Sequence, residues 1–92
     1  MPRLYKIVIY QTKNGNKIEE ENLNIIPIEW RINIVEFVIE IAHTPYKGEW
    51  ITSHKATCLF KGPREDARRI GLLFLGMGYA VNVFNLIEDE IF

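Results

Sequence analysis

The sequence predicts an α+β fold: a single-layer antiparallel sheet of four to five strands with one main helix packed on one face, in the order β-β-β-β-α-β. Three observations favour this class. Residues 61–86 contain a helical pattern followed directly by a strand pattern. Residues 32–60 resemble two apolar strands joined by a turn, and residues 4–12 alternate like a further strand. Because no linker or repeat interrupts the chain, residues 1–92 are expected to form one domain.

The first strand is predicted over residues 4–12, with Tyr5, Ile7 and Ile9 on one face and residues 4, 6, 8 and 10 on the other. Residues 13–16 contain an Asn-Gly pair, which is typical of a tight turn. Residues 19–22 are the most polar part of the chain and predict a solvated loop. Residues 24–30 include Pro27, which has no backbone N–H to donate, so an edge or linking segment is expected there.

Residues 32–43 could be helix or strand by periodicity, but their many β-branched side chains favour a strand. A turn follows, and residues 49–60 alternate again. If residues 45–48 form a four-residue loop, Thr44 faces Glu49 and a hairpin register follows. The inward face of that hairpin would consist of Val35, Phe37, Ile39, Ile41, Thr52, Ala56, Cys58 and Phe60.

The other face of the predicted hairpin is largely polar, and Lys55 lies diagonal to Glu36 and Glu40 for cross-strand ion pairing. Four apolar side chains nevertheless fall on this solvated face. They are Ile34, Val38, Ile51 and Leu59. Apolar residues on a wet face indicate a surplus of apolar surface that a partner could cover.

The main helix is expected to start at Pro63, which suits a first helical position, and to end at the glycines 76 and 78. Its buried stripe would be Ala67, Ile70, Phe74 and Met77. Glu65 and Arg69 are spaced for an ion pair. Leu72 and Leu75 lie off the stripe, so they are either buried by the domain itself or contact a second chain.

A final strand is predicted over residues 79–86, beside the first strand or along the hairpin. Residues 88–92 are acidic with an apolar end, consistent with either a frayed or a docking segment.

Composition narrows the class of protein. The net charge of −1 argues against bulk electrostatic capture of nucleic acid, although a local basic patch remains compatible with it. A lone cysteine gives no sign of an oxidising compartment. The sequence has no long apolar segment and no signal-peptide pattern, so a cytoplasmic protein without a membrane association is expected.

Candidate catalytic and metal-ligating residues do not converge. His54 and Cys58 would lie roughly 13 Å apart along one strand, too far to share a metal or a proton. His43 is expected to be a half-buried side chain near a sheet edge, and Cys58 a small core residue. Gly76 and Gly78 follow a helix, whereas phosphate-binding glycines precede one. We therefore expect no enzymatic activity, no cofactor and no metal site.

The leading hypothesis is a small protein-interaction module that self-associates or docks on a larger protein in an assembly or regulatory role. Its expected interface residues are Leu72, Leu75, Ile34, Val38, Ile51, Leu59, Trp30 and Trp50, the tryptophans acting as anchors. The alternative is a small nucleic-acid-binding protein with a basic patch at the start of the main helix. That patch would consist of Lys55, Lys61, Arg64, Arg68 and Arg69.

Overall fold

A four-stranded antiparallel sheet with the main helix on its inner face organises the chain, as the sequence predicts, and two short helices are additional to that prediction. The computed structural model describes residues 3–12 and 17–86, without the side chains of residues 42, 44–46, 50 and 51. The elements are β1 (Arg3–Tyr10), a 3-10 helix (Glu20–Ile25), α1 (Ile28–Arg31), β2 (Ile34–Tyr46), β3 (Glu49–Gly62), α2 (Arg64–Gly76) and β4 (Ala80–Leu86). The strand order is β2-β3-β1-β4. The turn predicted at residues 13–16 and the segment at residues 88–92, expected to be either frayed or a docking segment, lie outside the described residues.

Strand β1 lies between β3 and β4 and carries the centre of the core. Tyr5, Ile7 and Ile9 share a face, as the alternation predicts, and the structure shows that this is the inner face, where all three are buried. They lie opposite Phe60, Cys58 and Ala56 of β3, which are also buried. On the other side they lie opposite β4, so the last strand pairs with the first and not with the hairpin.

The hairpin turn is tighter than the sequence analysis expects. Tyr46 faces Glu49 across the two residues Lys47 and Gly48, whose φ angles are 50° and 81°. Two consecutive positive φ angles are typical of a two-residue turn that follows the twist of a hairpin. The expected pairing of Thr44 with Glu49 is therefore wrong by two residues. Because side chains alternate with a period of two, this shift moves no side chain to the other face.

A β-bulge at the start of β2 changes which face of the sheet two neighbouring side chains occupy. Ile34 pairs with Phe60 and Glu36 pairs with Leu59, so Val35 is the extra residue between them. Ile34, expected on the solvated face, is therefore partly buried against the core. Val35, expected on the inward face, is 61% exposed. Both expectations are corrected by one inserted residue.

The segment expected to be a solvated loop and a linking or edge segment is helical. Residues 20–25 form the 3-10 helix and residues 28–31 form α1, with Pro27 directly before α1. The guanidinium of Arg31 fixes this bend, because its Nε and Nη2 donate to the carbonyl of Ile26 at 3.2 and 2.8 Å. The segment contributes buried Ile26 to the core, next to the preceding buried Ile18, with Leu23, Ile25 and Trp30 packed against it.

Helix α2 covers the part of the inner face formed mainly by β1 and β4. Ala67, Ile70 and Phe74 are buried, whereas Met77 follows the last helical residue and is exposed. Pro63 is the N-cap instead of the first helical residue. Arg69 pairs with Asp66 at 3.9 Å and not with the expected Glu65.

The helix ends in a reversal that returns the chain to the sheet. Gly78, with φ of 96°, donates to the carbonyl of Leu75, and Tyr79 donates to that of Phe74. The rings of Phe74 and Tyr79 pack edge to face with centroids 6.1 Å apart. This junction sets where β4 starts and hence how β4 lies under α2.

Candidate interaction groove

A groove of about 510 Å³ separates α2 from the inner face of β4. It is lined by two groups of side chains. The helix contributes Arg64, Arg68, Gly71, Leu72 and Leu75, and the strands contribute Arg3, Tyr5, Val81, Val83 and Asn85. The helical members recur every three or four residues, so they form a second stripe beside the buried one.

Gly71 allows the helix to approach β4 closely at the middle of the groove. A Cβ atom at this position would lie 3.1 Å from Cγ2 of Val83 and 3.3 Å from Cγ1 of Val81. An alanine would therefore press on both valines, which form the floor of the groove. The glycine is buried in the middle of a helix, where its cost in helix propensity is offset by this close approach.

The two ends of the groove differ in chemistry. Gly62 pairs with Arg3, and α2 starts two residues later, so Arg3 lies near the helix N-terminus. Arg64 and Arg68 lie in the first half of the helix, which makes this end cationic. Within the described residues, none of these three arginines has a carboxylate within 4.0 Å. The other end is formed by Leu72, Leu75 and Val81.

Strand β4 forms one edge of the sheet, and its free edge lies beside the groove. Its sequence, AVNVFNL, has no charged residue and no proline, and most of its side chains are exposed. Natural edge strands usually carry charges, prolines or bulges that prevent pairing with another chain. The opposite edge, β2, has all three: Glu36 and Glu40, Pro45, and the bulge at Val35. Only the β4 edge is left unprotected among the described residues.

The outer face of the sheet is the second surface with functional potential. Among the described residues no helix packs on it, and Lys6 lies between Leu59 on β3 and Phe84 on β4. Phe84 is 47% exposed. Lys55 forms an ion pair with Glu40 at 3.7 Å, directly across the hairpin. This face thus mixes cationic, acidic and aromatic side chains.

The structure brings together some of the interface residues expected from the sequence and separates others. Leu72 and Leu75 line the groove and are 59% and 53% exposed. Val38 and Leu59 lie on the outer sheet face. Ile34 and Trp30 instead pack against the core from the inner side. The side chains of Trp50 and Ile51 lie outside the described residues.

The residues expected to form one basic patch are divided between surfaces. Arg64 and Arg68 line the groove. Arg69 is paired with Asp66 and does not line it. Lys55 and Lys61 alternate with the buried residues of β3 and lie on the outer face. The start of α2 therefore does not collect all five cations.

Sequence reasoning did not identify Arg3, Val83 or Asn85 as site residues. Each joins the groove because β4 pairs with β1, with Asn85 opposite Tyr5 and Val83 opposite Ile7. Alternation alone shows that Val81, Val83 and Asn85 share a face. The strand order decides that this face lies under α2, and the sequence carries no local signal for that order.

The histidines and the cysteine occupy structural environments. His54 Nδ1 donates to Oε1 of Gln11 at 2.7 Å, and His43 Nδ1 lies 3.1 Å from the hydroxyl of Thr52. Burial raises the pKa of the Cys58 thiol from 9.0 to about 12, which disfavours the reactive thiolate. No group of three or more metal-ligating side chains occurs within the described part of the chain.

Comparisons with protein-family models, with curated proteins and with solved structures find no match to this chain. Within residues 3–12 and 17–86, no helix has both the length and the apolar character needed to cross a membrane. The case for a function therefore depends on the groove, the adjacent strand edge and the outer sheet face.

Proposed function

We propose that this domain is a protein-interaction module that takes up an extended protein segment along β4, either by self-association or by docking on a larger protein. The observation that supports this most directly is the unprotected edge of β4 beside a groove that contains exposed Leu72 and Leu75. The edge offers backbone hydrogen bonds and the groove offers side-chain contacts. Together they meet the two requirements of strand addition.

Strand addition has a simple physical basis here. An incoming strand satisfies the outward backbone N–H and C=O groups of β4, whatever its sequence. Alternate side chains of that strand then point to the inner face, where Leu72, Leu75 and Val83 surround them. Burial of these apolar groups supplies affinity, and the arginines at the other end favour acidic segments.

The test is the molar mass of the purified chain across a size-exclusion peak, with absorbance at 260 and 280 nm. We expect a self-associated species that is free of nucleic acid. The double variant Leu72→Ser/Leu75→Ser should keep its fold, because both side chains are exposed, yet weaken association by about 2–3 kcal/mol, or about 30- to 150-fold. Unfolding of this variant would instead identify the leucines as core residues.

The matched control is Leu73→Ser, which makes the same change one position along α2, on a side chain that does not line the groove. This control should retain the association. If the chain is monomeric, peptides selected from a random display library provide the second arm. Synthetic versions that bind the chain but not the Leu72→Ser/Leu75→Ser variant support the proposal. A monomer that selects no such peptide contradicts it.

The second candidate is nucleic-acid binding on the outer sheet face, favoured by Lys6 next to the exposed ring of Phe84. An exposed aromatic ring on an open sheet can stack on an unpaired base, and a neighbouring lysine can contact phosphate. This candidate predicts excess absorbance at 260 nm that salt removes from the peak. A peak without such absorbance, at low salt, would count against it.

A further inference from the structure

We propose that the segment taken up by the groove is residues 87–92 of a second copy of this chain, so that two copies exchange these segments reciprocally. This inference deepens the proposed function and rests on it. Residues 87–92, IEDEIF, lie outside the described residues, and their sequence complements the chemistry of the groove.

The segment has acidic residues followed by apolar residues, and the groove has a cationic end followed by an apolar end. Strand β4 ends at Leu86, opposite Leu4, so its last residues lie near the cationic end. A strand added antiparallel to β4 therefore runs from the cationic end to the apolar end. Residues 88–90 are three carboxylates and residues 91–92 are Ile-Phe, in that direction. Alternate side chains point into the groove, so the carboxylates on that face of the segment would meet the unpaired arginines, and the apolar side chain that follows them on the same face would meet Leu72 and Leu75.

The sequence after Leu86 disfavours docking of the segment on its own copy. To lie antiparallel to β4 of the same chain, it would have to reverse directly after Leu86. A two-residue reversal needs positive φ at one or both of its residues and is dominated by glycine, asparagine and aspartate, whereas the next residues are isoleucine and glutamate. Docking on a second copy requires no such reversal.

Exchange of the segments between two copies is compatible with two-fold symmetry. Two copies of a strand that pair antiparallel are related by a two-fold axis, so each copy contributes the same segment and the same groove. Each unprotected β4 edge would then be covered by the partner segment, which also removes the hazard of open-ended strand pairing. The complex would close at two copies.

The test uses two full-length variants with opposite charge changes. The segment variant is Glu88→Lys/Asp89→Lys/Glu90→Lys, and the groove variant is Arg64→Glu/Arg68→Glu. Each alone opposes like charges in the complex, and we expect its dimer to dissociate about a hundredfold more readily than that of the unchanged chain. Mixed in equal amounts, they present opposite charges at both contacts. We therefore expect the mixture to recover the mass of a dimer by light scattering.

The control is Arg69→Glu, which reverses a charge on α2 outside the groove and should leave the dimer intact. Circular dichroism and thermal melting confirm that each variant is folded. A mixture that stays monomeric overturns the exchange, as does an unchanged chain that is monomeric. If the exchange fails while Leu72→Ser/Leu75→Ser still abolishes binding of selected peptides, the proposed function stands without it. If that variant also has no effect, both proposals fail.

Discussion

At the scale of single residues, Cys58 shows how burial determines chemistry in this domain. Its side chain is fully buried on the inner face of β3, opposite Ile7 and Phe37. Desolvation disfavours the thiolate and raises the thiol pKa to about 12. The sequence predicts this core position correctly, because Cys58 alternates with Ala56 and Phe60 in an apolar face. Its environment makes Cys58 a small apolar core residue and a poor nucleophile.

We expect Cys58 to react with a thiol-specific disulfide reagent at least about a thousandfold more slowly in the folded chain than in denaturant, at about pH 8. The rise of the thiol pKa from 9.0 to about 12 also makes the stability of the fold depend on pH. The folded state holds the proton more tightly, so this contribution is complete below about pH 9 and is lost as pH rises toward about 12. Rapid labelling without denaturant would show that β3 opens in native conditions.

At the scale of elements, the bulge in β2 determines which of two neighbouring side chains supports the core. A strand without it would place Val35 inward and Ile34 outward, as the alternation of the sequence predicts. The inserted residue reverses this assignment only at the start of the strand, so Phe37 and Ile39 still pack inward. Nothing in the local sequence marks the bulge, because its position depends on where β2 meets Phe60 of β3.

A pair of alanine substitutions tests the bulge. Ile34→Ala should lower the free energy of unfolding by about 1–3 kcal/mol, because this side chain is partly buried against the core. Val35→Ala should change it by no more than about 0.5 kcal/mol, because that side chain is 61% exposed. Urea unfolding followed by circular dichroism measures both. The reverse ranking would mean that the strand is regular at this point.

Helix α2 shows which features of an element the sequence pattern can predict. The helix, its buried stripe apart from Met77, and the leucines that lie off the stripe are visible in the sequence, and the structure leaves Leu72 and Leu75 exposed. Patterning cannot show that Arg64 and Arg68 share a groove with those leucines, because the opposite wall comes from β4. The surplus of apolar surface is predictable, but its location is not.

At the scale of the whole molecule, the sheet separates the two surfaces with functional potential. The groove lies on the helical side, and Lys6, Lys61 and Phe84 lie on the other side. Residues on opposite sides of a sheet share no partners, so the effects of changing them should add. The fold class was predictable from the order of elements. The separation of the expected basic patch was not, because it follows from which face each cation takes in the sheet.

Because the two surfaces are separate, substitutions on the outer face should not affect self-association through the groove. Lys6→Ala/Lys61→Ala should leave the dissociation constant of self-association unchanged within about twofold, because both side chains lie away from the groove. The same variant should abolish any salt-sensitive retention of nucleic acid. Sedimentation at several concentrations measures the first effect, and absorbance at 260 nm measures the second. A large loss of association would place the interface on the outer face instead.

The position of β1 between β3 and β4 has a consequence for how the chain folds. Neither partner is close in sequence, since pairing starts at Lys55 on one side and at Ala80 on the other. The hairpin of β2 and β3 can form locally through its two-residue turn. The pairing of β1 with β3 or β4 instead requires the closure of long loops, which costs conformational entropy. Folding is therefore expected to be slower than for helical domains of this length, with β4 the last strand to dock. During that interval the uncharged β4 is available to other unfolded chains, so the refolding yield should fall as the protein concentration rises.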